Sequence, residues 1–404
     1  MLGLGIAVRA AQSGESAHKP ATLAIRISGN HFVDGAGKVL QLRGANVAGL
    51  EYVAVQGWNP ANPWGNQTGT ATPDWKLMKS WGINLVRIPL NEASWLGMRC
   101  VSVGGAGTVV IDGKSVPVHA GAQLLADPGG NYRSTVARSV ADAIDAGLYV
   151  ILDLHWSAPE LVCPMVQNAL ADESNSLPFW NSVAGAFKDQ PAVMFDLFNE
   201  PTLTPDRASH WKLLLEGGDQ EEILTGGTPP SVQIPWRAAG MQAMLDTVRA
   251  TGAKNVVLVS GLSYAGNLRR WLDYRPVDPL GQLAVSWHAY PAYNSTWGTP
   301  AYLETNAGPQ GWRDVDAILG AGYPVLITEF GDRNVPGTVG APFAERLLPW
   351  ADQRGIGYVA WAWMLSQSPC CVLIQDALGR PSAGYGEYVK AHYQCRAANQ
   401  GPCK

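Results

Sequence analysis

Residues 194–201 read MFDLFNEP: an apolar run that ends on an amide, a carboxylate and a proline. The apolar part has the character of a buried strand. A strand that finishes by presenting Asn199 and Glu200 must find partners for a partly desolvated carboxylate. Alone, this could be a helix N-cap or a strand-end ion pair. The pattern recurs, however. LQLRGAN (40–46), INLVRIPL (83–90), YVILDLHW (149–156), VMFDLFNE (193–200), NVVLVSGL (255–262), LAVSWHAY (283–290), YPVLITEF (323–330) and YVAWAWML (358–365) are eight short apolar runs. Most are rich in Val, Ile and Leu without strict alternation, as strands covered on both faces are.

Helical patterns lie between the runs. In residues 131–148, Val136, Val140 and Ile144 recur four apart on one face, and Gly147 stops the helix. Residues 72–82 open with Thr72 as cap and Pro73 at the first helical position, and 343–355 again end on Gly. Strand and helix alternating eight times predict an α/β fold, a closed (β/α)8 barrel. The open doubly wound sheet lacks a G-x-G-x-x-G after a strand. Residues 27–44 predict an N-terminal hairpin turning at DGAGK and closing the barrel bottom. Long loops are expected after the second strand (about 91–130, with Cys100) and the fourth (about 201–235, with Trp211), both on the face where barrel sites are built. The expected organisation is a leader over 1–24 and a single catalytic domain over 25–404.

Composition narrows the function. The chain of 404 residues is 47% hydrophobic and only 15% charged, with net charge −4 and no basic block, which argues against nucleic acid or an anionic membrane surface as partner. Sixteen Trp against 7 Phe suggest flat apolar surfaces with a polar edge, suited to sugar rings. Six Cys without zinc spacing read as loop and tail staples of an oxidising compartment, with free thiols as the alternative; the sequence does not fix the pairing, and Cys100 with Cys163 and Cys395 with Cys403 are the pairs expected. The N-terminal MLGLGIAVRAAQSGESA has a short apolar run without a positive lead, as in a truncated signal peptide, and no stretch reaches the roughly 18 apolar residues of a membrane span. A secreted, monomeric protein is expected.

The strand ends carry the chemistry. The second strand holds Arg87; the third ends in His155 and Trp156; the fourth in Asn199 and Glu200. The sixth ends in His288 and Tyr290, the seventh in Glu329, and the eighth carries Trp361 and Trp363. In a barrel these converge on one mouth. Glutamates on strands four and seven face each other, and two close carboxylates let one act as acid while the other stays ionised. That arrangement suits glycoside hydrolysis, and a separation of about 5 Å means retention of configuration. LRGAN, INLVRIPL, VILDLHW, FNEP, HAY, ITEFG and WAW, in that order over residues 27–390, resemble the strand-end motifs of glycoside hydrolase family 5, the endo-β-1,4-glucanase-like retaining barrels. The resemblance implies Glu200 as general acid/base and Glu329 as nucleophile. It implies Asn199 as donor to the sugar 2-hydroxyl, Arg87 as the nucleophile's counter-ion, His155 and His288 as subsite walls, Tyr290 as the tyrosine on the nucleophile, and Trp361 as the sugar platform, with Trp363 as an alternative.

The implied substrate is a β-linked polysaccharide or oligosaccharide, first of all a β-1,4-glucan cut internally. β-Mannan, xyloglucan or short oligosaccharides are the alternatives on the same site. Trp58, Trp64, Trp95, Trp156 and Trp297 are candidates to line the cleft. No cofactor and no metal is expected, since a metal hydrolase on this fold would want more His and Asp at the strand ends. A barrel that binds carbohydrate without cutting it is the reading from another class, and the presence of both glutamates argues against it.

Overall fold

The eight apolar runs are eight parallel strands. In the computed structural model these are β1 (Arg43–Asn46), β2 (Leu85–Asn91), β3 (Tyr149–Trp156), β4 (Val193–Asp196), β5 (Val257–Ser260), β6 (Leu283–Ala289), β7 (Val325–Phe330) and β8 (Gly357–Ala360). They pair in chain order, β8 against β1, into a closed barrel. The structure describes residues 23–52, 63–64, 73–98, 100–102, 107–111, 114–118, 123–125, 127, 129–160, 167–224, 231–292, 294–334, 339–365, 370–399 and 403. The expected leader lies almost wholly outside them. Among the described residues no helix is long and apolar enough to cross a membrane.

The helices follow the strands. Asn131–Asp145 buries Val136 and Val140 as the spacing predicts, with Ile144 half-buried, and Gly147 leaves the helical region at φ 80°. The first helix corrects the sequence reading. It runs Trp75–Ser80, and its cap is Asp74, which accepts a hydrogen bond from the Leu77 N–H, not Thr72. The hairpin is also shifted. Ile25–Ser28 pairs with His31–Asp34 through a turn at Gly29–Asn30, and DGAGK forms a second reversal behind it, where Lys38 O accepts from Asp34 N. The hairpin does close the barrel bottom: Ile25, Ile27 and Phe32 share one apolar cluster with Leu85, Ile151, Met194, Leu258, Leu326 and Val359.

The two long βα connections are structured. After β2 come a short helix, Glu92–Leu96, and two antiparallel pairings, Cys100–Ser102 with Gln123–Leu125 and Gly107–Ile111 with Lys114–Val118. After β4 come a helix, Ala208–Glu216, whose Trp211 is buried, and an antiparallel pair, Gly217–Leu224 with Ser231–Ala239. Cys395 and Cys403 are disulfide-bonded, as expected, and so are the adjacent Cys370 and Cys371. The Cys100–Cys163 pairing lies outside the described residues.

Candidate active site

Above the apolar plug the barrel interior turns polar. Asn46, Arg87, Asp153, Asp196, Ser286 and Thr328 are all fully buried. Side chains two apart on a strand share a face, so Asp153 and His155 both point inward from β3.

Arg87 is the hub. Its Nη1 donates to Glu329 Oε1 at 2.7 Å and to Asn46 Oδ1 at 3.0 Å. Its Nη2 donates to Asn199 Oδ1 at 2.8 Å and meets Asp153 Oδ2 at 3.0 Å, while Nε donates to Asp196 Oδ2 at 3.1 Å. Burial disfavours the guanidinium charge, but Asp153, Asp196 and Glu329 outweigh it and keep Arg87 protonated. Burial pushes both aspartates up, and the shared guanidinium opposes it.

The histidines are fixed as neutral imidazoles. His155 Nδ1–H donates to Asp153 Oδ2 at 2.7 Å, leaving Nε2 to face Asn199 Nδ2 at 3.3 Å. Burial lowers His155 to about 4 and His288 to about 3. A register shift between Trp287 and His288 sets His288 opposite Glu329 on the neighbouring strand.

The two glutamates have different surroundings. Glu329 Oε1 receives Arg87, and Oε2 receives the Tyr290 hydroxyl at 2.9 Å. Burial raises its carboxyl, and His288 and Arg87 pull it back. Glu200 stands four residues beyond the end of β4. Its Oε1 lies 2.8 Å from His288 Nδ1, which is also 3.5 Å from Glu329 Oε2. Burial pushes Glu200 up to about 7. One oxygen of Glu200, one of Glu329 and a ring nitrogen of His288 all lie within 4.8 Å of one another. With a guanidinium touching only Glu329, the pair can hold one proton on Glu200 and a charge on Glu329.

Trp361 follows β8, and its ring stacks on His155 with centroids 5.6 Å apart and planes at 12°. Trp363 is buried, edge-on to Trp81 at 4.9 Å, so of the two tryptophans it is Trp361 that faces the cluster. The structure thus brings together Arg87, His155, Asn199, Glu200, His288, Tyr290, Glu329 and Trp361. The cleft tryptophans are corrected in part. Trp64 and Trp95 are buried; Trp95, in the short helix after β2, packs on Phe179 and Phe187 and is covered by them. Trp297 is half-buried against the core, Trp156 pairs with Tyr52 at 6.5 Å, and Trp58 lies outside the described residues.

Sequence reading missed Asn46, Asp153, Asp196 and Gln167. The Gln167 side chain accepts from Asn199 Nδ2 and donates to the backbone carbonyl of Glu200, so it bridges the two residues of the opening motif. For Asp153 a signal existed: it stands two before His155, on the same inward face.

Comparison with known proteins follows the same lines. A family model described as cellulase (glycosyl hydrolase family 5) matches residues 33–366. Endoglucanase N of Pectobacterium atrosepticum is 22% identical over 84% of this chain and 56% of its own length. A mannan endo-1,4-β-mannosidase of Streptomyces lividans is 25% identical over 32% of this chain and 30% of its own length. The chain spans about half the length of the endoglucanases it matches first. Among solved structures, a β-glucanase from Saccharophagus degradans in complex with cellotetraose shares the fold at a TM-score of 0.61 and 20% identity, covering 93% of this chain and 94% of that one. A β-mannanase from Streptomyces thermolilacinus does so at 0.56 and 17%, covering 94% and 97%. With a family model running from the hairpin to beyond β8, over a closed barrel of eight parallel strands, the chain belongs to glycosyl hydrolase family 5.

Proposed function

We propose that the protein is a retaining glycosidase that cuts internal β-1,4 linkages of a glucan by double displacement. One observation carries this reading: the carboxyl groups of Glu200 and Glu329 approach within 4.8 Å across the mouth, close to the roughly 5 Å at which the second carboxylate attacks directly instead of through water. Glu329, ionised beside Arg87 and oriented by Tyr290, attacks the anomeric carbon. Glu200, protonated below about pH 7, gives its proton to the glycosidic oxygen as that bond breaks. The covalent glycosyl-enzyme is then hydrolysed by a water whose proton returns to Glu200. Asn199 and the two neutral histidines line the sugar at the cut bond, and Trp361 supplies an apolar floor. No step calls on a metal or cofactor. The enzyme acts outside the cytoplasm, as a single chain.

A glucan is favoured by the endoglucanases among the relatives. A mannan is the second reading, supported by mannanases in both sets of relatives. The test is to score reducing ends released from soluble carboxymethyl cellulose, β-mannan and xyloglucan by the wild type, Glu200→Ala and Glu329→Ala. The wild type should cut carboxymethyl cellulose, and each variant should lose about a thousandfold or more, the scale of a lost general acid or nucleophile. Binding without cleavage by the wild type would leave a carbohydrate-binding barrel instead.

A further inference from the structure

Cys370 and Cys371 are neighbours in the chain and are bonded to each other. A cross-link stabilises a fold mainly by closing a loop in the unfolded chain, and the gain grows with the loop. The Cys395–Cys403 bridge closes a sequence separation of 8 in the tail. A bridge with a separation of 1 closes almost no loop, so its effect is local: it restricts the backbone around one peptide unit. Cys371 there stands at φ 75°, in the left-handed region where a side chain is disfavoured. A backbone outlier on the site-bearing face of the barrel points towards function.

The pair lies where the connections after β7 and β8 meet. Cys370 forms an isolated antiparallel bridge with Arg333, and Val372 N–H donates to Asn334 Oδ1 at 2.9 Å. Just beyond β8, Ala362 N–H donates to Cys371 O at 2.6 Å, and Leu373 N–H to Ala362 O at 3.0 Å. The buried Cys371 also faces Gly331, two residues after Glu329. A Cβ on Gly331 would come within 2.6 Å of Cys371 Sγ and 3.0 Å of a Tyr290 ring carbon. The sulfur and the ring thus converge on the space that a side chain at 331 would take, and sulfur packs favourably against aromatic rings. The same ring carries the hydroxyl that donates to Glu329 Oε2 at 2.9 Å. The disulfide therefore buttresses the tyrosine that orients the nucleophile.

We propose that the Cys370–Cys371 disulfide is a positioning element for the nucleophile: it holds Gly331 and the Tyr290 ring so that the hydroxyl stays on Glu329, and breaking it slows catalysis without unfolding the barrel. The inference rests on the glycosidase reading above. Cys370 is half-buried and Cys371 fully buried, so a dithiol reaches the pair through Cys370. Its thiolate attacks the Cys370 sulfur, and Cys371 leaves as a thiolate that takes up a proton. The second thiol then displaces Cys370, and the dithiol departs as its own cyclic disulfide. The test follows hydrolysis of cellopentaose, or mannopentaose if mannan is the polymer cut, by oxidised wild type, wild type reduced with dithiothreitol, and Cys370→Ser/Cys371→Ser. Alkylation and mass analysis identify the thiols released. Reduction of this pair should lower kcat about tenfold with KM within about twofold, less than the hundredfold that an ångström of misplacement costs. Reoxidation should restore it, and the double variant should match the reduced enzyme. The groups that face Glu329 besides Tyr290 are His288, Arg87, Glu200 and His155. A loosened Tyr290 hydroxyl supports the ionised carboxyl less, so the acid limb of the kcat/KM profile should move to higher pH. The thermal midpoint should shift by less than about 2 °C. Wild-type turnover in the reduced protein or in the double variant would overturn the proposal while leaving the glycosidase intact. So would a loss of turnover that tracks a falling thermal midpoint with the acid limb in place. An oxidised wild type that cleaves neither oligosaccharide and releases no reducing ends from any of the polymers would overturn both.

Discussion

At the scale of single residues the most informative one is Gln167. Its carboxamide bridges Asn199 and the Glu200 backbone, and its contact pulls the Glu200 carboxyl down while burial pushes it up to about 7. Removing it takes away support for the ionised form. Gln167→Ala should therefore move the alkaline limb of the kcat/KM profile to higher pH, by about half a unit to one unit. A limb that stays in place or moves to lower pH would contradict this. Glu200 and Glu329 were readable because polar groups that end apolar runs stand out against their neighbours. Asp196 was not, because it lies inside such a run and reads as a strand residue; Asp153 lies inside one too, and its only signal was its place two before His155, while the approach of Arg87 makes both of them partners. Gln167 had no local signal at all. Its place depends on the path of the β3 connection, which no periodicity encodes.

At the scale of elements, all eight barrel strands were legible because burial on both faces gives continuous apolar runs. The ends were less so. Asp74, not Thr72, accepts the Leu77 N–H at 2.9 Å and begins the helix Trp75–Ser80. Asp74→Ala should cost about 1 kcal/mol, read as a lower midpoint in denaturant with an unchanged slope, and Asp74→Ser should recover most of it. An unchanged midpoint in Asp74→Ala would mean that the cap contributes nothing. The antiparallel pair after β4 escaped for a different reason. GGDQEEIL is polar, and Ile223 is its one buried residue along Gly217–Leu224, so it lacks the half-buried alternation by which a strand is recognised. The register shift that sets His288 opposite Glu329 is likewise a product of pairing, not of any one strand's composition.

At the scale of the whole molecule, the barrel buries an unusual number of acids. Burial pushes Glu51 up to about 8 and Glu200 to about 7, holds Glu92 well above its ordinary range, and raises Asp153, Asp196 and Glu329. Glu92 has in addition a second carboxyl beside it: Ser176 Oγ lies between Glu92 and Asp172, tying the helix after β2 to the one after β3. A carboxyl whose folded pKa lies above its unfolded value stabilises the fold most fully below the unfolded value, near pH 4 to 4.5, and that contribution is lost as pH rises through the folded value. His155 and His288 act in the opposite sense. Lowered to about 4 and 3, they weaken the fold as pH falls below about 6.5. Above about pH 7.5 the histidines are almost wholly neutral in both states, and the buried acids decide the slope. Each proton that the folded protein still holds and the unfolded chain has released makes stability fall by about 1.4 kcal/mol per pH unit. The thermal midpoint should therefore drop steadily between about pH 7.5 and 8.5, and Glu92→Gln, which carries a permanent donor in place of the proton, should flatten the decline. A midpoint that stays level or climbs across that interval would mean that these acids are ionised and paired at neutral pH, with Arg87 and the polar layer compensating far more charge than one guanidinium facing three carboxylates is expected to hold.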